Sequence, residues 1–196
     1  MFYPMIQTIL EQSSGGISLP VQYPAGVSQN TTSGEKFVVD TINQGLRDCP
    51  EQNYALFGYS QGASLILRAL DQLSGEATDA IKSVVLVGNP YRLPGKLSNV
   101  NGTGLPGNDN VAGLFIASAT ANNETIPQLS NELDKSGKVL DYCLEVSWTD
   151  VRTSLLNRRQ IVNKFMLGRR SLRTECCLLM PTSCRPPFLC RGGQCT

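Results

Sequence analysis

YALFGYSQGASLILRALDQL, residues 54–73, sets two hydrophobic rhythms back to back. Tyr54 to Phe57 is a short apolar run, the pattern of a strand buried on both faces. From Gln61 to Leu73, Ile66, Ala69, Leu70 and Leu73 recur at helical spacing and predict a helix. Between the two stands Gly58-Tyr59-Ser60-Gln61-Gly62, and G-x-S-x-G at a strand-to-helix junction is the pattern of a nucleophile elbow. Glycine is required there because the backbone turns too sharply, and passes too near its neighbours, for a side chain. Such a turn presents the Ser60 hydroxyl at the sheet edge in front of a helix N-terminus, where the Gln61 backbone N–H faces a developing oxyanion. Ser60 is the candidate nucleophile, and Gln61, through its backbone N–H, the candidate oxyanion-hole donor. The competing reading is a Gly-rich turn in a non-catalytic α/β domain.

Working outward, Ile17 to Tyr23 reads as a short strand closed by Pro24, and Thr32-x-x-Glu35 as a capping box opening a helix. That helix should bury Val38, Val39, Ile42 and Leu46. Ser83 to Val87, Leu114 to Ser118 and Lys138 to Leu144 repeat the buried-strand pattern, with Gly-, Pro- and Asn-rich connections between them. Strands alternating with helices predict a parallel, doubly wound sheet covered on both faces. After Glu145 the rhythm fails and no strand is expected.

The 196 residues, 41% of them hydrophobic and 17% charged, suit one core rather than two. The net charge of +1 hides an asymmetry: residues 1–145 carry 8 Lys and Arg against 14 Asp and Glu, and residues 146–196 carry 9 against 2. The Arg158-Arg159 and Arg169-Arg170 pairs accompany no nucleic-acid-binding motif and read as a solvated face, so no nucleic-acid partner is expected. No stretch is long and apolar enough to span a bilayer, no membrane partner is expected, and no signal peptide is visible at the first residues. Neither metal-ligand nor phosphate-loop spacings occur, so no metal or other cofactor is expected. Five of the seven cysteines, Cys176, Cys177, Cys184, Cys190 and Cys195, crowd the last segment, and an odd total leaves at least one thiol unpaired within the chain. Three acceptor sequons, at Asn30, Asn101 and Asn123, lean toward a secreted glycoprotein.

Phe57-Gly58-Tyr59-Ser60-Gln61-Gly62-Ala63 closely resembles the elbow of the cutinase family, which includes cutinases and acetylxylan esterases. Other stretches resemble the family in the same order: Tyr23-Pro24-Ala25 its strand-end motif, Cys49-Pro50 the cysteine before the elbow strand, Val87-Gly88-Asn89-Pro90 its Gly-Asp-Pro, and Leu140-Asp141-Tyr142-Cys143 the cysteine before the acid. The resemblance covers roughly residues 2–145. It implies a three-layer α/β hydrolase with a parallel sheet, and a secreted, disulfide-bonded, monomeric serine esterase. Ester hydrolysis of plant polymers, cutin or acetylated xylan, would run through an acyl-enzyme on Ser60.

The family pattern breaks at both ends. The family's catalytic Asp, four residues after its second motif cysteine, falls on Ser147, and the cysteine that should follow is missing. Asp150 is the nearby carboxylate, at the wrong spacing, and reads as a solvated loop residue. The family's general base is a histidine, and the sequence contains none. The family's first strand, whose loop supplies a Ser or Thr to the oxyanion hole and a cysteine partner for Cys49, has no counterpart here. Expected from this is a core over 1–145 with an apolar edge left by that strand and with Cys49 and Cys143 lacking their family partners. Residues 146–196 are expected to be a basic, Cys-rich, poorly ordered tail, read-through or out-of-frame in origin. The alternatives are a small disulfide-stapled binding module in the tail and a non-catalytic hydrolase-like protein.

Overall fold

The computed structural model describes residues 2–12, 15–101, 104–106, 110–143 and 176–181, the last six by their backbone alone. Among the described residues twelve elements follow one another: α1 (Tyr3–Gln12), β1 (Gly16–Pro20), α2 (Thr32–Asp48), β2 (Tyr54–Tyr59), α3 (Gln61–Asp71), α4 (Glu76–Asp79), β3 (Ile81–Val87), β4 (Asn99–Val100), α5 (Ile116–Ala121), α6 (Asn131–Lys135), β5 (Val139–Tyr142) and β6 (Cys176–Pro181). The strands form one sheet in the order β1-β6-β2-β3-β5-β4. β2, β3, β5 and β4 run parallel, and β6 is antiparallel to both of its neighbours.

Alternation along β2 explains its unbroken apolar run. Leu56 faces one side of the sheet, where it joins Val84, Leu86 and Val139 beneath Val38 and Ile42 of α2 and Leu65, Ile66 and Ala69 of α3. Phe57 faces the other side, where it packs with Phe2 and Ile6 of the α1 region, its ring centroid 5.7 Å from that of Phe2. Helices therefore cover both faces of the sheet, the expected three layers. The forecast core faces hold: Val38 and Ile42 are buried with Val39 and Leu46 packed beside them, and Ile66, Ala69, Leu70 and Leu73 are all buried.

Four expectations need correction. The helix cap is Thr31, one residue earlier than forecast, and its hydroxyl donates to Glu35 Oε1 at 2.5 Å, so Glu35 does reach back to the helix start. Leu114 to Ser118 is not a strand. Phe115 N–H bonds Pro90 O, its ring lies 5.8 Å from that of Tyr91, and α5 begins at Ile116. The place beside β5 belongs instead to Asn99-Val100, too short and polar a pair to be seen by its apolar pattern. The third and fourth corrections concern the segment after Glu145, which does contribute a strand. β6 fills the position between β1 and β2, pairing Leu178 with Leu19 on one side and Leu56 on the other, so no open edge separates those strands, and it adds one antiparallel strand beside the expected parallel ones. Its Leu178-Leu179-Met180 core is apolar, but only three residues long and flanked by cysteines and proline, which is why no periodicity marked it.

A proline at position 178 removes an N–H from the centre of this ladder. Leu178→Pro is expected to lower the urea midpoint and to strip hydrogen-exchange protection from Gly16–Pro20 and from Ala55–Gly58. Amides on the β3–β5 side should stay protected.

Candidate functional site

Strand register brings the site together. Tyr59 lies opposite Val87, Val87 opposite Tyr142, and Tyr142 opposite Val100, so Ser60, Gly88, Cys143 and Asn101 leave the sheet side by side at one edge. β1 and β2 point the same way, because β6 is antiparallel to each, and the segment after Pro20 emerges at that edge too. In parallel α/β sheets the C-terminal edge is where ligands bind.

At the centre of this edge Ser60 has φ 51° and ψ −116°, a conformation that side-chain-bearing residues rarely adopt and that costs about 1–3 kcal/mol. Three hydrogen bonds hold its backbone: its N–H donates to Val87 O at 2.9 Å, and its carbonyl accepts from Ala63 N at 2.9 Å and Ser64 N at 3.4 Å to start α3; its side chain makes no capping bond. Ser60 is half-buried and its hydroxyl is not spent on capping the helix. Gly58 makes the turn possible. A Cβ there would lie 2.6 Å from Gly62 O and 2.7 Å from Ile66 Cδ1, so β2 and α3 touch backbone to backbone. Gln61, first residue of α3, is 2% exposed; its Oε1 accepts from Gly26 N at 3.0 Å, which ties the segment after β1 to the elbow. The sequence pattern pointed to the Gln61 backbone alone, since nothing in a one-dimensional motif shows a bond across 35 residues.

A buried polar network braces the neighbouring strand end. Asn89 Nδ2 donates to Asp141 Oδ2 at 2.8 Å, and Asn89 Oδ1 accepts from Tyr91 N at 3.0 Å. Arg92, 1% exposed, donates to the Asp141 backbone carbonyl and stands 3.4 Å from its carboxylate. Burial pushes the Asp141 carboxyl above its usual 3.8, against the opposing Asn89 hydrogen bond and Arg92 charge. Asp141 is therefore a brace between β5 and the turn after β3. Asp150 and Ser147 lie outside the described residues, and the sequence has no histidine. Cys49 is disulfide-bonded. A cavity of about 410 Å³ between the far end of α3 and α6, lined by Leu70, Asp71, Thr78 and Glu132 among others, is remote from the elbow.

Two stability measurements test this geometry. Ser60→Gly relieves the backbone strain and should raise the unfolding free energy by about 1 kcal/mol, whereas Gly58→Ala forces a methyl into Gly62 and should lower it by about 1–3 kcal/mol. Because the folded pKa of Asp141 is raised, its contribution is full below pH 3.8 and is lost as pH rises through the folded value. The stability difference between the unsubstituted chain and Asp141→Asn, followed by urea titration across that window, should shrink in favour of the variant as pH rises.

The family model for cutinase matches residues 3–145. A cutinase of Hypocrea jecorina is 32% identical over 93 residues, 46% of this chain and 37% of that one. A cutinase of Botryotinia fuckeliana is 28% identical over 92 residues, 45% of this chain and 46% of that one. The chain thus spans less than half the length of these curated relatives. Among solved structures, a cutinase-like protein from Cryptococcus sp. superposes with a TM-score of 0.61 at 31% identity, covering 83% of this chain and 85% of that one. The parallel strands β2, β3, β5 and β4 and the helices on both faces agree with this likeness in placing the chain among the α/β hydrolases. The chain belongs to the cutinase family.

Proposed function

We propose that this chain is built for carboxylic ester hydrolysis, with Ser60 as nucleophile and the Gln61 backbone N–H as one oxyanion donor. The observation that carries the reading is the strained backbone of Ser60, φ 51°, held at the end of a buried strand with its hydroxyl making no bond to the helix it starts. Strain of this kind persists where the surroundings over-determine it, and functional sites are where it gathers. In the reaction the Ser60 oxygen attacks the ester carbonyl, the alcohol leaves, and water releases the acid from the acyl-enzyme.

Transfer of the Ser60 proton needs a base, and imidazole is the group suited to it near neutral pH. With no histidine in the sequence, acylation and deacylation are slow, by on the order of 10⁴ to 10⁶ relative to an enzyme with a full triad. The same observation favours a second reading, a non-catalytic member of the family that keeps the elbow. For the substrate we propose a plant-polymer ester, cutin or acetylated xylan, by likeness to the family, and an extracellular, disulfide-bonded, glycosylated protein with the sequons at Asn30, Asn101 and Asn123.

An activated alkyl phosphonate separates the two readings, because it carries its own leaving group and needs only a poised serine. It should label the chain slowly and at Ser60, seen by peptide mass spectrometry, and Ser60→Ala should abolish the label. Equal labelling of the mutant would sink the nucleophile assignment. Hydrolysis of p-nitrophenyl butyrate at the rate of a complete cutinase would overturn the expectation of slow turnover.

A further inference from the structure

The Gln61 side chain is spent in an unusual way. It is 2% exposed, its Oε1 takes the N–H of Gly26 at 3.0 Å, and its Nε2 has no acceptor among the described residues. A buried donor without a partner destabilises the fold, so an apolar side chain of the same length would suit this position better if packing were its only task. Gly26 itself is exposed, and its N–H is open to water once the bond is gone. Little stability is therefore gained by the tie. Its geometric effect is larger. Gly26 lies in the segment between β1 and α2, whose Gln29 has φ 52° and donates from Nε2 to Gly26 O at 3.0 Å, so that Gly26 is gripped from both sides. The first residue of α3, next to Ser60, holds one of those grips.

We propose that the Gln61 side chain is a positioning residue for acylation at Ser60. By clamping the Gly26 backbone to the first turn of α3, it fixes the segment after β1 beside the Ser60 turn, at the cost of a buried Nε2 with no acceptor among the described residues. The proposal rests on Ser60 being the nucleophile. It assigns a role to the side chain of a residue whose backbone alone the elbow pattern involves. Misplacement of a reacting group by about 1 Å can cost about 10²-fold in rate, so a loosened segment beside Ser60 should register in the labelling rate.

The test uses the full chain with a small-alkyl p-nitrophenyl phosphonate, reading the rate of Ser60 modification beside the thermal midpoint. Gln61→Met keeps the length and removes both polar atoms. It should label about tenfold more slowly while melting at the same temperature or higher. Gln61→Glu restores an acceptor in the same shape. At about pH 5, where a buried carboxyl is protonated, it should recover most of the lost rate, and the recovery should fade as the carboxyl ionises beside the elbow. A Gln61→Met chain that labels within twofold of the unsubstituted one overturns the clamp. So does one whose slower labelling comes with a lowered melting temperature that Gln61→Glu does not rescue, since packing then accounts for the effect. If the unsubstituted chain takes no label at Ser60, the nucleophile reading itself fails and the clamp with it.

Discussion

The contact on which the rest depends is backbone against backbone, where β2 runs into α3. At Gly58 no atom stands between strand and helix, and the space a methyl group needs is already taken by the Gly62 carbonyl and Ile66. Everything near the site follows from that closeness. The chain turns within a single residue, that residue is forced to positive φ, and its N–H falls within reach of the adjacent strand's Val87 carbonyl. A larger gap between strand and helix would leave room for an ordinary turn, and Ser60 would face solvent as one more loop hydroxyl.

Support for this contact is layered. Below it, Leu56, Val84 and Leu86 meet the buried faces of α2 and α3, so the helix cannot lift away without exposing an apolar core. Beside it, the Asn89, Asp141 and Arg92 network ties the turn after β3 to β5. A charged pair buried this deeply is weak evidence for stability, because desolvation opposes its attraction, but removing one member strands the other and is strongly destabilising. The network therefore specifies a geometry more than it adds to folding free energy. Asn89 takes part by virtue of its amide, which serves Asp141 as a donor and Tyr91 as an acceptor at once.

Much of this was legible in the sequence, for reasons that differ from residue to residue. The β2–turn–α3 unit could be read because burial on two faces leaves an unbroken apolar run, and burial on one helix face leaves a 3.6-residue rhythm. Asn99-Val100 could not, since a two-residue strand has no period. Leu114 to Ser118 misled because three apolar residues near a glycine look alike whether they enter a strand or the start of a helix, and the contacts of Phe115 with Pro90 and Tyr91 decided the matter. β6 was hidden by its surroundings: a strand is chosen by the neighbours it pairs with, and those lie more than a hundred residues away in sequence. At the site itself, the serine and the backbone N–H beside it were legible as a local pattern. The Gln61 bond to Gly26 and the bracing of Asp141 are tertiary facts with no sequence signature of their own.

The register of β6 also dictates an order of events in synthesis. Gly16 pairs with Pro181 and Gly58 with Cys176, so β1 and β2, made early, have no common neighbour until the chain has grown past residue 181. A ribosome adding about 5–20 residues per second takes roughly 6 to 24 seconds to cover that interval. During it the two strands present facing rows of unpaired N–H and C=O groups, one of them flanked by Leu56 and Phe57. Unpaired strand edges of this kind are templates for pairing with other chains. The sheet between β1 and β2 thus closes only with the segment 176–181, and a chain that stopped before residue 176 would lack the strand that joins them.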